Sequence, residues 1–139
     1  MRFSGRIFRS GRFWAIEVPI LGVYTQGQSR RDAFEMIADA IEILVDQEGF
    51  TVQVYPGMGD YFEVGSSDQS GLIALLLRRA RHRSGLTLAE VAERLGAKSL
   101  NGYARYEQGR AVPTITKLTE LYAAVTPRGD FVLCECRAE

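Results

Sequence analysis

Side chains with intrinsic reactivity are scarce in this chain. One histidine, His82, and two cysteines, Cys134 and Cys136, leave no Ser-His-Asp or Cys-His arrangement beyond that single imidazole. A zinc site on Cys134 and Cys136 would have to draw its other ligands from His82 or from carboxylates, so alternate residues of a short strand are the simpler reading. Gly57-Met58-Gly59 lacks the following helix that a phosphate-binding glycine loop requires. No enzyme activity is expected, and neither a metal nor a cofactor is called for. The remaining polar chemistry is non-covalent, and it clusters twice. Lys98, Ser99, Asn101, Tyr103, Arg105 and Arg110 crowd into one short stretch, while Glu35, Asp39, Glu42 and Asp46 recur at steps of four, three and four.

The chain that must position these groups has 139 residues, 46% apolar and 24% charged, a soluble globular profile that excludes disorder and collagen. Arginines at 2, 6, 9 and 12 interrupt any signal-peptide core. The longest apolar run, Leu72 to Leu77, falls far short of the roughly 20 residues a bilayer demands. A cytoplasmic location is expected. Two cysteines close in sequence make no disulfide scaffold.

The pattern changes at Gly65-Ser66-Ser67-Asp68-Gln69-Ser70-Gly71, a small, polar, turn-rich run. We place a domain over residues 1–65, a linker over 66–71 and a second domain over 72–139. Upstream, Arg2 to Phe8 and Phe13 to Val18 read as antiparallel strands around the loop Arg9-Ser10-Gly11-Arg12, and Gly22 to Gly27 as a third strand after Pro19. Ser29 then caps a helix running to about Glu48 before Gly49, with Asp32 completing an imperfect capping box. Phe34, Ile37, Ala38, Ile41, Leu44 and Val45 share one face of it, and the four acids form a stripe beside that face. Phe50 to Tyr55 alternates as a strand, Pro56 to Asp60 turns, and Tyr61 to Val64 follows. The order is β-β-β-α-β with a possible fifth short strand.

From Leu72 the chain reads as four helices. The first runs to Ser84 and stops at Gly85. The second opens on the capping box Thr87-Leu88-Ala89-Glu90 and ends at Gly96. The third spans Ser99 or Leu100 to Glu107, and the fourth opens at Pro113-Thr114 and carries Ile115, Leu118, Leu121, Tyr122 and Val125. Phe131 to Cys136 reads as a short closing strand. The fold class is therefore α+β, a small sheet domain followed by an all-α domain.

Two short helices joined by a glycine turn, with others packing around them, follow the plan of a helix-turn-helix domain. Leu77 to Thr87, Glu90 to Gly96, Tyr106-Glu107-Gln108-Gly109 and Pro113 agree in detail, and residues 72–125 resemble the Xre-type (Cro/C1-like) family. The resemblance puts the third helix in a major groove, which makes Lys98, Ser99, Asn101 and Tyr103 the candidate base readers and Thr87, Arg105 and Arg110 candidates for phosphates. Ser99 has the alternative of capping its helix, Tyr103 and Tyr106 that of joining the core, and Arg78, Arg79 and Arg83 that of a solvated face. Arg81 and Glu107 correspond to the pair that joins such modules internally, a structural role. His82 is read as a surface residue. Two departures stand out. Leu88 replaces a common phosphate-contacting Gln, and Gly96 to Glu107 is one residue longer than usual, which leaves open where the third helix starts. Charge agrees with two functions. Residues 1–68 carry six Arg against ten acids, net −4, and residues 69–139 carry eleven cations against seven acids, net +4.

The N-terminal half is similar to the HicB antitoxin family in the order Phe13 to Pro19, Gly22-Val23-Tyr24-Thr25-Gln26-Gly27, then Ser29-Arg30-Arg31-Asp32-Ala33 opening a helix. Gly96 to Glu107 also looks like the helix-turn-helix form of that family. The resemblance implies a partial RNase H-like fold, a small basic HicA-like toxin that cleaves mRNA as partner, and repression of the shared operon. An acidic face suits a cationic ribonuclease, and Glu35, Asp39, Glu42 and Asp46 are the candidate toxin contacts, with a solvated helix face as the alternative. Nuclease chemistry in this domain itself is a poor fit, because Arg2 to Phe8 holds no carboxylate and Glu17 stands alone on the second strand. Competing readings are a one-component regulator whose N-terminal domain binds a small ligand or only oligomerises, and a scaffold that uses the helix-turn-helix fold to bind protein. Operator DNA and a homodimer or larger oligomer are the expected partners.

Overall fold

Apolar residues at every second position set the first strand. In β1 (Arg2–Ser10), buried Phe3, Gly5 and Ile7 alternate with exposed Arg2, Ser4 and Arg6. A computed structural model of the chain, which describes residues 1–97 and 99–136, makes β1 the centre of a five-stranded antiparallel sheet. β2 (Phe13–Val18) and β5 (Tyr61–Gly65) flank β1, and β3 (Val23–Gly27) and β4 (Gln53–Pro56) form the edges, in the order β3-β2-β1-β5-β4. A 3-10 turn, Pro19–Leu21, separates β2 from β3.

Helix α1 (Arg30–Val45) packs on the inner face of the sheet. Ser29 Oγ accepts from the Asp32 amide at 3.0 Å, and the Asp32 carboxylate accepts from the Gln28 amide at 2.7 Å, which satisfies two amides around the helix start. Gly27 sits so close to α1 that a Cβ would lie 2.3 Å from the Ala33 nitrogen, so only glycine permits this approach of strand and helix. Ala33, Ile37 and Ile41 are fully buried. The helix ends at Val45, short of the expected Glu48, because Asp46 itself turns left-handed with φ 51°. The strand expected over Phe50 to Tyr55 starts at Gln53, since Phe50 drops into the core.

Helix α2 (Gln69–Arg83) begins three residues before Leu72, because the Asp68 carboxylate accepts from the Gly71 amide at 3.0 Å and caps it. Leu72 to Leu77 and Ala80 are buried all round, the mark of a central helix. It touches α1 and the 3-10 turn as well as the later helices, and one hydrophobic cluster runs from Ile7 and Ile37 through α2 to Leu121. α3 (Leu88–Arg94), α4 (Asn101–Glu107) and α5 (Ile115–Val125) complete the fold. The closing strand expected over Phe131 to Cys136 is not formed. Phe131 folds back on Tyr122, ring centroids 4.4 Å apart, while Val132 and Leu133 stand almost fully exposed. A β-rich run becomes a strand only when a ladder partner accepts it, and none does so among the described residues. No helix among them is long and apolar enough to cross a membrane.

Candidate nucleic-acid interface

The start of α3 is built by a complete capping box: Thr87 Oγ accepts from the Glu90 amide at 3.2 Å and Glu90 Oε2 accepts from the Thr87 amide at 3.3 Å. Val91 and Ala92 are buried beneath it. Gly96, at φ 67°, then reverses the chain in a left-handed conformation that a side chain would strain. Thr87 is exposed, and its hydroxyl oxygen accepts in the cap while its O–H stays available as a donor.

Helix α4 starts at Asn101, with Ser99 and Leu100 exposed ahead of it and no side-chain cap. Lys98 lies outside the described residues. Tyr103, Ala104 and Glu107 face the core, Asn101 and Arg105 line an exposed side at helical spacing, and Gln108 is the exposed C-cap residue. Gly102 lies on the same exposed side, where a Cβ would meet open space. Gln108 was not among the expected readers, although its spacing of seven from Asn101 is the signal that finds it. Arg110 is exposed just beyond the helix.

Tyr103 is corrected from base reader to core residue. It is 1% exposed and donates its hydroxyl to Glu107 Oε1 at 2.6 Å. Arg81 grips the same carboxylate with both fork nitrogens, Nε to Oε1 at 2.6 Å and Nη2 to Oε2 at 3.0 Å, and donates Nη1 to the Leu86 carbonyl at 2.9 Å. The pair ties α2 to α4 from a partly buried position. Burial pushes the Tyr103 phenol far above its ordinary range, with the Glu107 carboxylate adding to the shift. The hydrogen bonds to Glu107 likewise raise Arg81.

The three arginines left open on α2 all donate to main-chain carbonyls, Arg78 and Arg79 from half-buried positions and Arg83 from an exposed one. Arg79 donates to the Leu21 carbonyl at 3.0 Å and the Gly22 carbonyl at 2.6 Å. Arg83 donates to Pro19 at 3.2 Å and Ile20 at 2.8 Å, and Arg78 to the Leu44 carbonyl. They donate to carbonyls at the 3-10 turn and at the end of α1. His82 is exposed on α2 beside Arg81.

On the acidic face of α1, Glu42 is half-buried, and its Oε1 accepts from the Val52 amide at 2.8 Å and so holds the loop before β4. Asp39 and Asp46 remain exposed, and Glu35 is exposed while paired with Arg31 at 3.3 Å. Met36 and Ile43, 40% and 74% exposed, stand among these acids.

Residues 72–127 match the family model of the helix-turn-helix domain. No curated protein matches the chain.

Proposed function

We propose that the chain is a dimeric, sequence-specific DNA-binding regulator that also neutralises a small basic ribonuclease of the HicA type encoded beside it. The observation that carries the DNA-binding part is the exposed pair Asn101 and Arg105 on α4, followed by the exposed C-cap residue Gln108, within the matched helix-turn-helix region and away from the buried Tyr103 and Glu107. Amide side chains suit adenine edges, a guanidinium suits guanine edges or phosphates, and Arg110 extends the cationic edge. The antitoxin part rests on the resemblance of the N-terminal half together with the α1 face, where Glu35, Asp39 and Asp46 surround Met36 and Ile43. A partner that contacts nucleic acid through cations fits such a surface, with the apolar pair as anchors.

The test is co-purification with the product of the adjacent reading frame, followed by a gel shift on the DNA upstream of the gene. N101A/R105A is expected to weaken the shift by about tenfold or more, each base contact being worth about 1–3 kcal/mol. Wild-type binding retained in that variant would remove α4 as the reading helix. E35K/D39K is expected to abolish neutralisation of the co-expressed toxin. Glu42 is left intact because its carboxylate holds the main chain. Retained neutralisation would move the partner surface off α1.

A further inference from the structure

The outer face of the sheet, turned away from the helices, presents several exposed aromatic side chains. Tyr24 is 61% exposed, Tyr61 46% and Phe13 42%. The strand register arranges four of the outward residues in one row. Tyr24 stands opposite Glu17, Glu17 opposite Arg6, and Arg6 opposite Tyr61, across β3, β2, β1 and β5. In the neighbouring row Gln26 stands opposite Ala15, and Ala15 opposite Phe8. The Arg6 guanidinium lies 5.7 Å from the centroid of the Phe8 ring, which places both on this face.

The row reads aromatic, acid, base, aromatic, and it is complementary to itself. Consider a two-fold axis that runs parallel to the strands, midway between β1 and β2, above this face. Strands spaced at about 4.8 Å put Glu17 and Arg6 at equal distances on either side of that axis, and Tyr24 and Tyr61 at equal distances beyond them. Rotation lays Arg6 of one copy over Glu17 of the other, twice, and Tyr24 over Tyr61, twice. A patch whose elements exchange under a two-fold axis is what an isologous interface requires. The balance of Arg6 by Glu17 also counts against nucleic acid as the occupant, since this row has no cationic excess for phosphates.

We infer that two copies of the chain associate through this sheet face, with Arg6–Glu17 and Tyr24–Tyr61 contacts repeated about the two-fold axis. The inference rests on the dimeric reading above but not on DNA binding.

Sedimentation of the full chain across a dilution series tests it. Wild type is expected to dimerise as concentration rises. R6E and E17R, each alone, place like charges opposite one another twice and are expected to remain monomeric. An equimolar mixture of the two is expected to dimerise again, because every R6E acid then meets an E17R base on the other chain. Repair within a single chain cannot produce that result. Y24A, at an exposed position, is expected to weaken the dimer roughly tenfold, because the two-fold axis removes the aromatic pair twice. A wild-type chain that is monomeric at every concentration removes the dimer itself. Dimerisation of R6E like wild type, or a mixture that stays monomeric while each chain keeps its native circular dichroism, removes the sheet face.

Discussion

Within α4, neighbouring residues do opposite jobs, and two of them can be separated by measurement. Tyr103 donates to a carboxylate that also receives a two-pronged Arg81, so its hydroxyl satisfies a buried charge. Tyr103→Phe is expected to cost about 2 kcal/mol at neutral pH, the size of a hydrogen bond to a charged group. The phenol is raised in the folded state, so its stabilisation is complete below the unfolded value of about 10 and falls away as pH climbs above it, where the unfolded chain ionises first. The stability gap between wild type and Tyr103→Phe should therefore narrow at alkaline pH when urea midpoints are compared. A gap that stays constant would mean that the hydroxyl is not held as described. Gly102 poses the reverse question, since in the first turn of α4 its backbone freedom costs entropy while a Cβ would touch nothing. Gly102→Ala should raise stability by about 1 kcal/mol. If α4 approaches a duplex closely on this side, the added methyl should also weaken the gel shift, so stability and affinity would move in opposite directions. Affinity unchanged in the stabilised variant would place the DNA contact away from Gly102.

Helices α2 and α4 both carry arginine, and their partners assign them different work. Arg79 is bound to two carbonyls at the end of the 3-10 turn, whereas Arg105 stands exposed beside Asn101. Arg79→Ala should lower the melting temperature and leave the salt dependence of DNA binding unchanged. Arg105→Ala should spare the melt and, if it meets a phosphate, reduce the slope of log affinity against log salt by about 0.9. Equal slopes in the two variants would deny Arg105 a phosphate. What could be read in advance divides along the same line. Caps and apolar periodicity are local, so Ser29, the Thr87–Glu90 box and the amphipathic α1 announced their helices. Arg79 and Arg83 could not be placed, because the carbonyls they satisfy belong to a turn more than 50 residues upstream that only tertiary packing brings near. Tyr103 was misplaced for a related reason. Helix α4 spans only seven residues, so a shift of one or two in its start exchanges the buried and exposed faces. Phe131 to Cys136 had the composition of a strand, but pairing is a property of the neighbour as well as of the segment.

The division of charge into an acidic and a basic half suggests two independent domains, but α2 belongs to both. Its buried residues run all the way round, with α1 and the 3-10 turn on one side and α4 and α5 on the other, and Arg78, Arg79 and Arg83 fasten it to main-chain carbonyls of the N-terminal half. Separating the halves would expose apolar surface of α2 and leave three guanidinium groups without their acceptors. The full chain is therefore expected to unfold in one transition, with calorimetric and van't Hoff enthalpies equal, as for a single cooperative unit. A fragment beginning at Asp68 should melt at a lower temperature than the full chain and bind an apolar dye that the full chain does not. Two resolved transitions in the full chain, or a fragment as stable as the whole, would instead mean that α2 is stabilised by the C-terminal helices alone. The coupling bears on regulation, because a partner that bound α1 would act on an element in direct contact with the helix that carries Arg81. Through Arg81 and Glu107 that helix holds α4, so the acidic face of α1 and the pose of α4 share one continuous set of contacts.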